Sequence, residues 1–220
     1  MKFDHLGDVA PVLLLDIAED EGAIVPIGSV RYRDPSINVD RLKLVLPRPM
    51  PGEIGNISEY FEVLEGPGTA TVSTGRIGEV RVMELAPRQS LYLHSGAVLG
   101  RDARTDFRRV SVASYPLPHS VDLGYFVVAQ ITGPGLVAFQ TQGNVLSFDI
   151  APGERIRAPP HSVVAILPGI RMKVQVYGGP PDFPPLHYFS LVEFTGPGKV
   201  LLHSGRSLLK SGDVLAGSAE

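Results

Sequence analysis

Six histidines (His5, His94, His119, His161, His187 and His203) are the side chains of this 220-residue chain best suited to metal or acid–base chemistry. A metal site inside a β-barrel draws on two histidines one residue apart on a strand, a nearby glutamate and a later histidine, so that the ligands converge. No His-x-His pair occurs, so no metal ligand is assigned and no cofactor is expected. Four of the histidines precede serine: His94-Ser95, His119-Ser120, His161-Ser162 and His203-Ser204. A serine–histidine nucleophile needs a converging carboxylate and an oxyanion hole. Adjacent strand residues point to opposite faces, and no Gly-x-Ser-x-Gly elbow is present. The pairs therefore read as turn chemistry, with Ser bonding local backbone, and no catalytic residue is assigned.

Two charged clusters remain. Arg101, Arg104, Arg108 and Arg109 alternate with Asp102 and Asp106. They form a candidate anion or subunit contact, but the aspartates reduce the field and Phe107 is the one nearby aromatic, too little for base stacking. The segment reads as a salt-bridged loop between structural units. Asp16, Glu19, Asp20 and Glu21 are acidic, but their order does not fit a calcium loop, so they read as solvated surface.

The elements that must carry these residues are short. Gly (24) and Pro (20) are spread along the chain and leave little room for long helices. Alternation at Leu42, Leu44 and Leu46, at Val110 and Val112, at Leu146, Phe148 and Ile150, and at Met172, Val174 and Val176 predicts strands with one buried face. Tyr125–Ile131 and Ser162–Leu167 read as strands buried on both faces, and Pro11–Glu19 as either a short helix with Pro near its start or, preferred, a buried strand at Leu13–Ile17.

A tripeptide punctuates the pattern: Gly66-Pro67-Gly68, Gly133-Pro134-Gly135 and Gly196-Pro197-Gly198, at intervals of 67 and 63 residues. Such spacing predicts three copies of one β-unit. Pro at the second turn position and Gly at the third predict type II turns with positive φ at Gly68, Gly135 and Gly198. Further turn glycines follow at Gly75, Gly143 and Gly205. Leu85-Ala86-Pro87-Arg88-Gln89, Ile150-Ala151-Pro152-Gly153-Glu154 and Leu209-Lys210-Ser211-Gly212-Asp213 form a second matched series. The Pro/Gly-rich stretch Gly178–Pro185 reads as a loop. The first 50 residues lack the tripeptide. The expectation is one domain over 1–220, with approximate units 1–100, 101–166 and 167–220.

Composition sets the class. At this length folding buries roughly 70–75% of the unfolded chain's surface. The absence of cysteine rules out disulfides and cysteine metal sites. Net charge is −3, which lends no support to nucleic-acid binding, although a local patch leaves it possible. Apolar runs such as Val12–Leu15 are far short of a membrane span, and the amino terminus has no signal layout. A cytoplasmic location is expected.

The segments Gly78–Leu85 and Leu91–Leu99, the stretch Phe126–Ile166 with both its Gly-Pro-Gly and its Ala-Pro-Gly-Glu turn, and Phe189–Ser204 resemble the "altered inheritance of mitochondria" family, also described as like the trp RNA-binding attenuation protein (TRAP-like). The resemblance covers roughly residues 58–215. It implies an all-β fold related to the double-stranded β-helix, TRAP-like sandwich units in a pseudo-threefold repeat, and ring-like or trimeric assembly. It implies no established activity.

The expected function is therefore a non-enzymatic β-repeat scaffold that self-assembles as a homo-oligomer, a trimer or a multiple of three. The alternatives are a ligand- or RNA-binding regulator with a TRAP-like ring and, less favoured, a cupin-like metalloenzyme.

Overall fold

The computed structural model describes residues 1–7, 11–47, 56–73, 75, 77–113, 125–177 and 189–204. These residues are nearly all strand: β1 (Lys2–Leu6), β2 (Val12–Ile17), β3 (Gly22–Pro26), β4 (Val30–Arg33), β5 (Asn38–Pro47), β6 (Asn56–Glu65), β7 (Gly68–Val72), β8 (Val80–Leu85), β9 (Ser90–His94), β10 (Val98–Asp102), β11 (Asp106–Ala113), β12 (Tyr125–Thr132), β13 (Gly135–Gln140), β14 (Val145–Ile150), β15 (Arg155–Ala158), β16 (Val163–Ile166), β17 (Arg171–Tyr177), β18 (Phe189–Thr195) and β19 (Gly198–His203). The helices among the described residues are short 3-10 turns, including Ser95–Ala97 and Pro160–Ser162. None is long and apolar enough to cross a membrane.

After β1, the pairing falls into three runs of six strands. In each, the sixth strand lies between the first and third: β7 between β2 and β4, β13 between β8 and β10, β19 between β14 and β16. The fifth lies between the second and fourth: β6 between β3 and β5, β12 between β9 and β11, β18 between β15 and β17. The first run thus begins at β2, and the first 50 residues supply four of its six strands. The third strand of each run carries a register shift at the same place: Val30/Tyr32, Val98/Gly100 and Val163/Ala165. A bulge there bends the strand and increases its twist.

Two junctions stitch the runs together. β3 pairs with β10, and β9 with β16, giving the sheets β5-β6-β3-β10-β13-β8 and β11-β12-β9-β16-β19-β14. The remaining sheets are β1-β2-β7-β4 and β15-β18-β17. Three apolar clusters fill the spaces between them. The first gathers Leu13, Leu15, Leu64, Leu99 and Ala138, the second Leu91, Leu93, Phe139 and Val164, and the third Val128, Ile166, Val192 and Phe194. Fully burying a side chain such as Phe139 or Phe194 stabilises the fold by about 1.5–3 kcal/mol. β13 and β16, each flanked by strands on both sides, are apolar and buried on both faces over Val137–Phe139 and Val163–Ile166.

Each Gly-Pro-Gly links a fifth strand to a sixth, where the chain leaves one sheet for another. The turn is not type II. The Gly-Pro bonds are cis, and Gly68, Gly135 and Gly198 have φ of 148°, 140° and 151°, positive but far more extended than the third position of a type II turn. The type II signature lies elsewhere. Ala18–Glu21, Ala86–Gln89 and Ala151–Glu154 each close a turn from the fourth N–H to the first C=O, at 3.2, 3.0 and 3.0 Å. Their third residues, Asp20, Arg88 and Gly153, have φ of 65°, 65° and 80°. The fourth side chain then accepts the alanine N–H: Glu21 at 3.1 Å, Gln89 at 3.0 Å and Glu154 at 2.8 Å.

These turns explain the first glycine of each tripeptide. A Cβ on Gly66, Gly133 or Gly196 would come within 2.2–2.5 Å of the carbonyl oxygen of Ala18, Ala86 or Ala151. The acidic run 16–21 therefore holds the first copy of the turn series. The match proposed at Leu209–Asp213 and the loop Gly178–Pro185 lie outside the described residues, as does Gly205.

Candidate interaction site

Arg101 and Arg109 do not sit in a loop. Arg101 is on β10 and Arg108 and Arg109 are on β11, with only a tight turn around Arg104 between them. Asp102 here closes a turn: its C=O accepts from Thr105 N–H at 3.1 Å and from the Thr105 hydroxyl at 2.7 Å. Arg101 is 3% exposed. It donates to Thr105 O at 2.6 Å and Thr105 Oγ1 at 3.0 Å, and its guanidinium lies 5.4 Å from the Phe107 ring centre. Burial lowers its pKa to about 10 against the opposing pull of Asp106 and Asp102.

Arg104 grips buried Asp102 through Nε and Nη2 at 2.5–3.1 Å. Arg108 donates to Gln130 at 2.8 Å, Gln130 to Ser90 Oγ at 2.9 Å, and Ser90 meets Thr132 at 2.9 Å. Arg109 pairs with Glu59 across the run boundary. The four guanidinium groups thus have separate protein partners and face different surroundings. What they do here is hold β10 and β11 against neighbouring strands.

The histidines scatter. His5 lies on exposed β1. His94 Nδ1 accepts from Gly96 N–H at 3.3 Å, and a ring nitrogen of His203 is 2.7 Å from His161 O. Ser162 Oγ donates to Pro159 O at 2.8 Å. His119 and His187 lie outside the described residues. Among the described residues no three His, Asp or Glu side chains come together as a metal site. A shallow groove of about 590 Å³ is lined by Gln89, Asp149, Leu167 and Lys199, but its charged groups, Asp149 and Lys199, pair with each other at 3.1 Å.

Two strand edges stand out. β14 ends its sheet, paired only to β19 among the described residues. Its alternation was expected to bury Leu146, Phe148 and Ile150, yet only Ile150 is buried. Leu146 is 46% and Phe148 39% exposed. Their counterparts opposite the same positions of the sixth strand are Leu13 and Leu15 on β2, both 0% exposed. In the first run a facing six-stranded sheet and β1 complete the cover, whereas the sheet facing β14 has three strands among the described residues.

The second edge is β15. Counted from the first glycine of each tripeptide, Val63, Gln130 and Glu193 hold the same place, and Ile24, Tyr92 and Arg157 lie opposite them. Ile24 is then paired with Arg101 of β10, and Tyr92 with Ile166 of β16. Among the described residues β15 pairs with β18 alone. Arg155 and Arg157, with side chains 65% and 51% exposed, both pair with Glu193, at 3.7 and 2.7 Å. The Arg157 hydrogen bond holds the Glu193 carboxyl below its ordinary value. Arg171 and Lys173 share this face through the register Arg155↔Thr195↔Arg171 and Arg157↔Glu193↔Lys173. Sequence reasoning missed this site. The alternating Arg-Ile-Arg-Ala was visible, but nothing in it says that the strand is an edge.

A family model described as mitochondrial biogenesis AIM24 matches residues 3–205. No curated protein matches the chain. Among solved structures, the crystal structure of protein SPYM3_0169 from Streptococcus pyogenes superposes with a TM-score of 0.71 at 15% identity, covering 93% of this chain and 94% of that one. At that identity the likeness establishes the fold.

Proposed function

The chain belongs to the mitochondrial biogenesis AIM24 family, and from that premise we propose that it is a non-enzymatic β-scaffold that works by self-assembly and by presenting strand edges to partners. The observation that carries this reading is the exposed apolar pair Leu146 and Phe148 on β14, which ends its sheet among the described residues, while the equivalent Leu13 and Leu15 of β2 are fully buried. An exposed edge with apolar side chains templates pairing with another chain unless something blunts it. The same architecture supports a finer reading, three TRAP-like sandwich units in pseudo-threefold repeat within the double-stranded β-helix class. Its support is the thrice-repeated strand pairing, bulge position and Ala-x-x-Glu/Gln turn.

Light scattering on purified protein tests the assembly. The expected mass is three copies or a multiple of three at micromolar concentration, falling for the Leu146→Ser, Phe148→Ser double variant. A monomer at that concentration removes the proposal.

A further inference from the structure

Among the described residues eight strands end a sheet: β1, β4, β5, β8, β11, β14, β15 and β17. Seven of them carry Lys or Arg, from Lys2 on β1 to Arg171 on β17. Edge cations keep sheets from joining edge to edge. β14 has none. It reads Val145-Leu146-Ser147-Phe148-Asp149-Ile150, and its single charge, Asp149, is paired with Lys199 at 3.1 Å. Leu146, Ser147, Phe148 and Asp149, four residues in succession, are all exposed.

The hydrogen bonds show which backbone groups face outward. Ser204 N–H donates to Asn144 O at 2.9 Å, so Asn144 turns toward the β19 side. Val145 N–H, one residue on, donates to Glu79 Oε1 at 2.9 Å instead. Alternation then turns Leu146, Phe148 and Ile150 toward β19, and Ser147 and Asp149 outward. Glu79 thus closes the outer edge at Val145, and the N–H and C=O of Ser147 and Asp149 form the stretch open to a further strand.

We propose that β14 pairs antiparallel with β14 of a second copy about a twofold axis through Phe148. This rests on the self-assembly reading above and names its contact. In that register Ser147 lies opposite the second copy's Asp149. All four open backbone groups of each copy are then paired, and Val145 stays with Glu79. Phe148 faces its own counterpart and Leu146 faces the second copy's Ile150, so one side of the joined sheet is apolar throughout, and aromatic pairs across strands are stabilising. On the other side the Ser147 hydroxyl can donate to the second copy's Asp149 carboxylate. The neighbouring registers are worse. A slide by two residues one way sets Asp149 against Asp149, like charges directly opposite. A slide the other way draws on Val145, whose N–H is already taken. At the other sheet ends the apolar row would meet a strand carrying lysine or arginine, whereas a second β14 matches apolar to apolar and polar to polar. A twofold contact combined with a threefold gives six copies.

The chain has no cysteine, so introduced thiols report contacts between copies without background. In a hydrogen-bonded antiparallel pair, directly opposite Cα atoms lie about 5.5 Å apart, inside the range a disulfide spans. A mixture of full-length Ser147→Cys and Asp149→Cys should therefore bridge under mild oxidation roughly tenfold faster than either variant alone, because like positions lie out of step on the diagonal. Light scattering of the wild type should give six copies. Phe148→Lys, which sets two lysines face to face on the axis, should halve that mass. If Phe148→Lys fails to fold, the cysteine mixture decides, since Ser147 and Asp149 are both exposed.

A three-copy mass without bridging in the mixture overturns the twofold and leaves self-assembly standing, whereas a monomer removes both. A two-copy mass with the mixture bridged supports the twofold and removes the threefold alone. Bridging of Ser147→Cys by itself as fast as the mixture, or an assembly whose mass Phe148→Lys leaves intact, also overturns the proposal.

Discussion

β10 and β4 are the same strand of successive runs, and each carries an arginine at the same register. Arg101 donates to Thr105 O at 2.6 Å, and Arg33 donates to Ile37 O at 2.6 Å, each reaching four residues ahead. Locally the two are alike. Yet Arg101 is 3% exposed and lowered to about 10, while Arg33 is solvent-exposed. The difference is the strand beyond: β3 closes over β10, and none closes over β4 among the described residues. Burial at this position is imposed by the junction and not by the local sequence. The same contrast separates β9 from β15, and there the chain has answered it with arginine.

The most severe way to break the comparison is to disturb the corners that send each run into two sheets. Gly133→Ala would place a methyl 2.5 Å from Ala86 O and 2.7 Å from Leu85 Cβ and O. It should cost roughly 3 kcal/mol or more, read as a loss of urea midpoint. Gly153→Ala, at φ 80° with nothing within 4 Å, carries only the backbone cost of about 1 kcal/mol. Equal losses would mean that the close approach of corner and turn is not what selects the first glycine.

Next in size is the arginine pair itself. Arg101→Ala leaves buried acceptors on Thr105 unpaired and a gap beside Phe107, at about 2 kcal/mol. Arg33→Ala should stay within about 0.5 kcal/mol, as surface changes do. Thermal denaturation of both variants decides it, and similar shifts would show that the β3–β10 junction adds nothing to the bond.

The smallest expected effect is on pH dependence at β15. Glu193 is held below the ordinary carboxylate value of 4.5, first by its hydrogen bond with Arg157 and then by the charges of Arg157, Arg155 and Lys173. A lowered folded-state pKa contributes stability that is present above the unfolded value and lost as pH falls through the folded one. Wild type should therefore lose more stability than Glu193→Gln between about pH 5 and pH 3, most steeply at the acid end. The arginines are largely exposed and screened, so the difference is small. Parallel acid-unfolding curves for the two proteins would count against the pairing.

Much of the fold was legible from the chain. The spacing of Gly-Pro-Gly, the scarcity of helix-length runs and the pattern of apolar residues pointed to an all-β chain with strands at Leu13–Ile17, around Leu146, Phe148 and Ile150, and at Ser162–Leu167, where β2, β14 and β16 lie. These signals are local: two residues set a turn and alternate residues set a face. The sequence also pointed to the Ala-x-x-Glu/Gln turn in two places. It hid the first copy, because Ala18-Glu19-Asp20-Glu21 lacks the proline and reads as an acidic patch.

Tertiary structure decided the rest. It placed Arg101 inside a sheet, because Arg-Asp-Ala-Arg-Thr-Asp looks like a solvated loop until β3 is laid beside it. It left Leu146 and Phe148 in water, because their alternation says that one face is apolar and not whether a facing sheet extends far enough to cover it. It left β15 paired with β18 alone among the described residues, because a strand's neighbours come from residues far along the chain, and no local pattern records which they are.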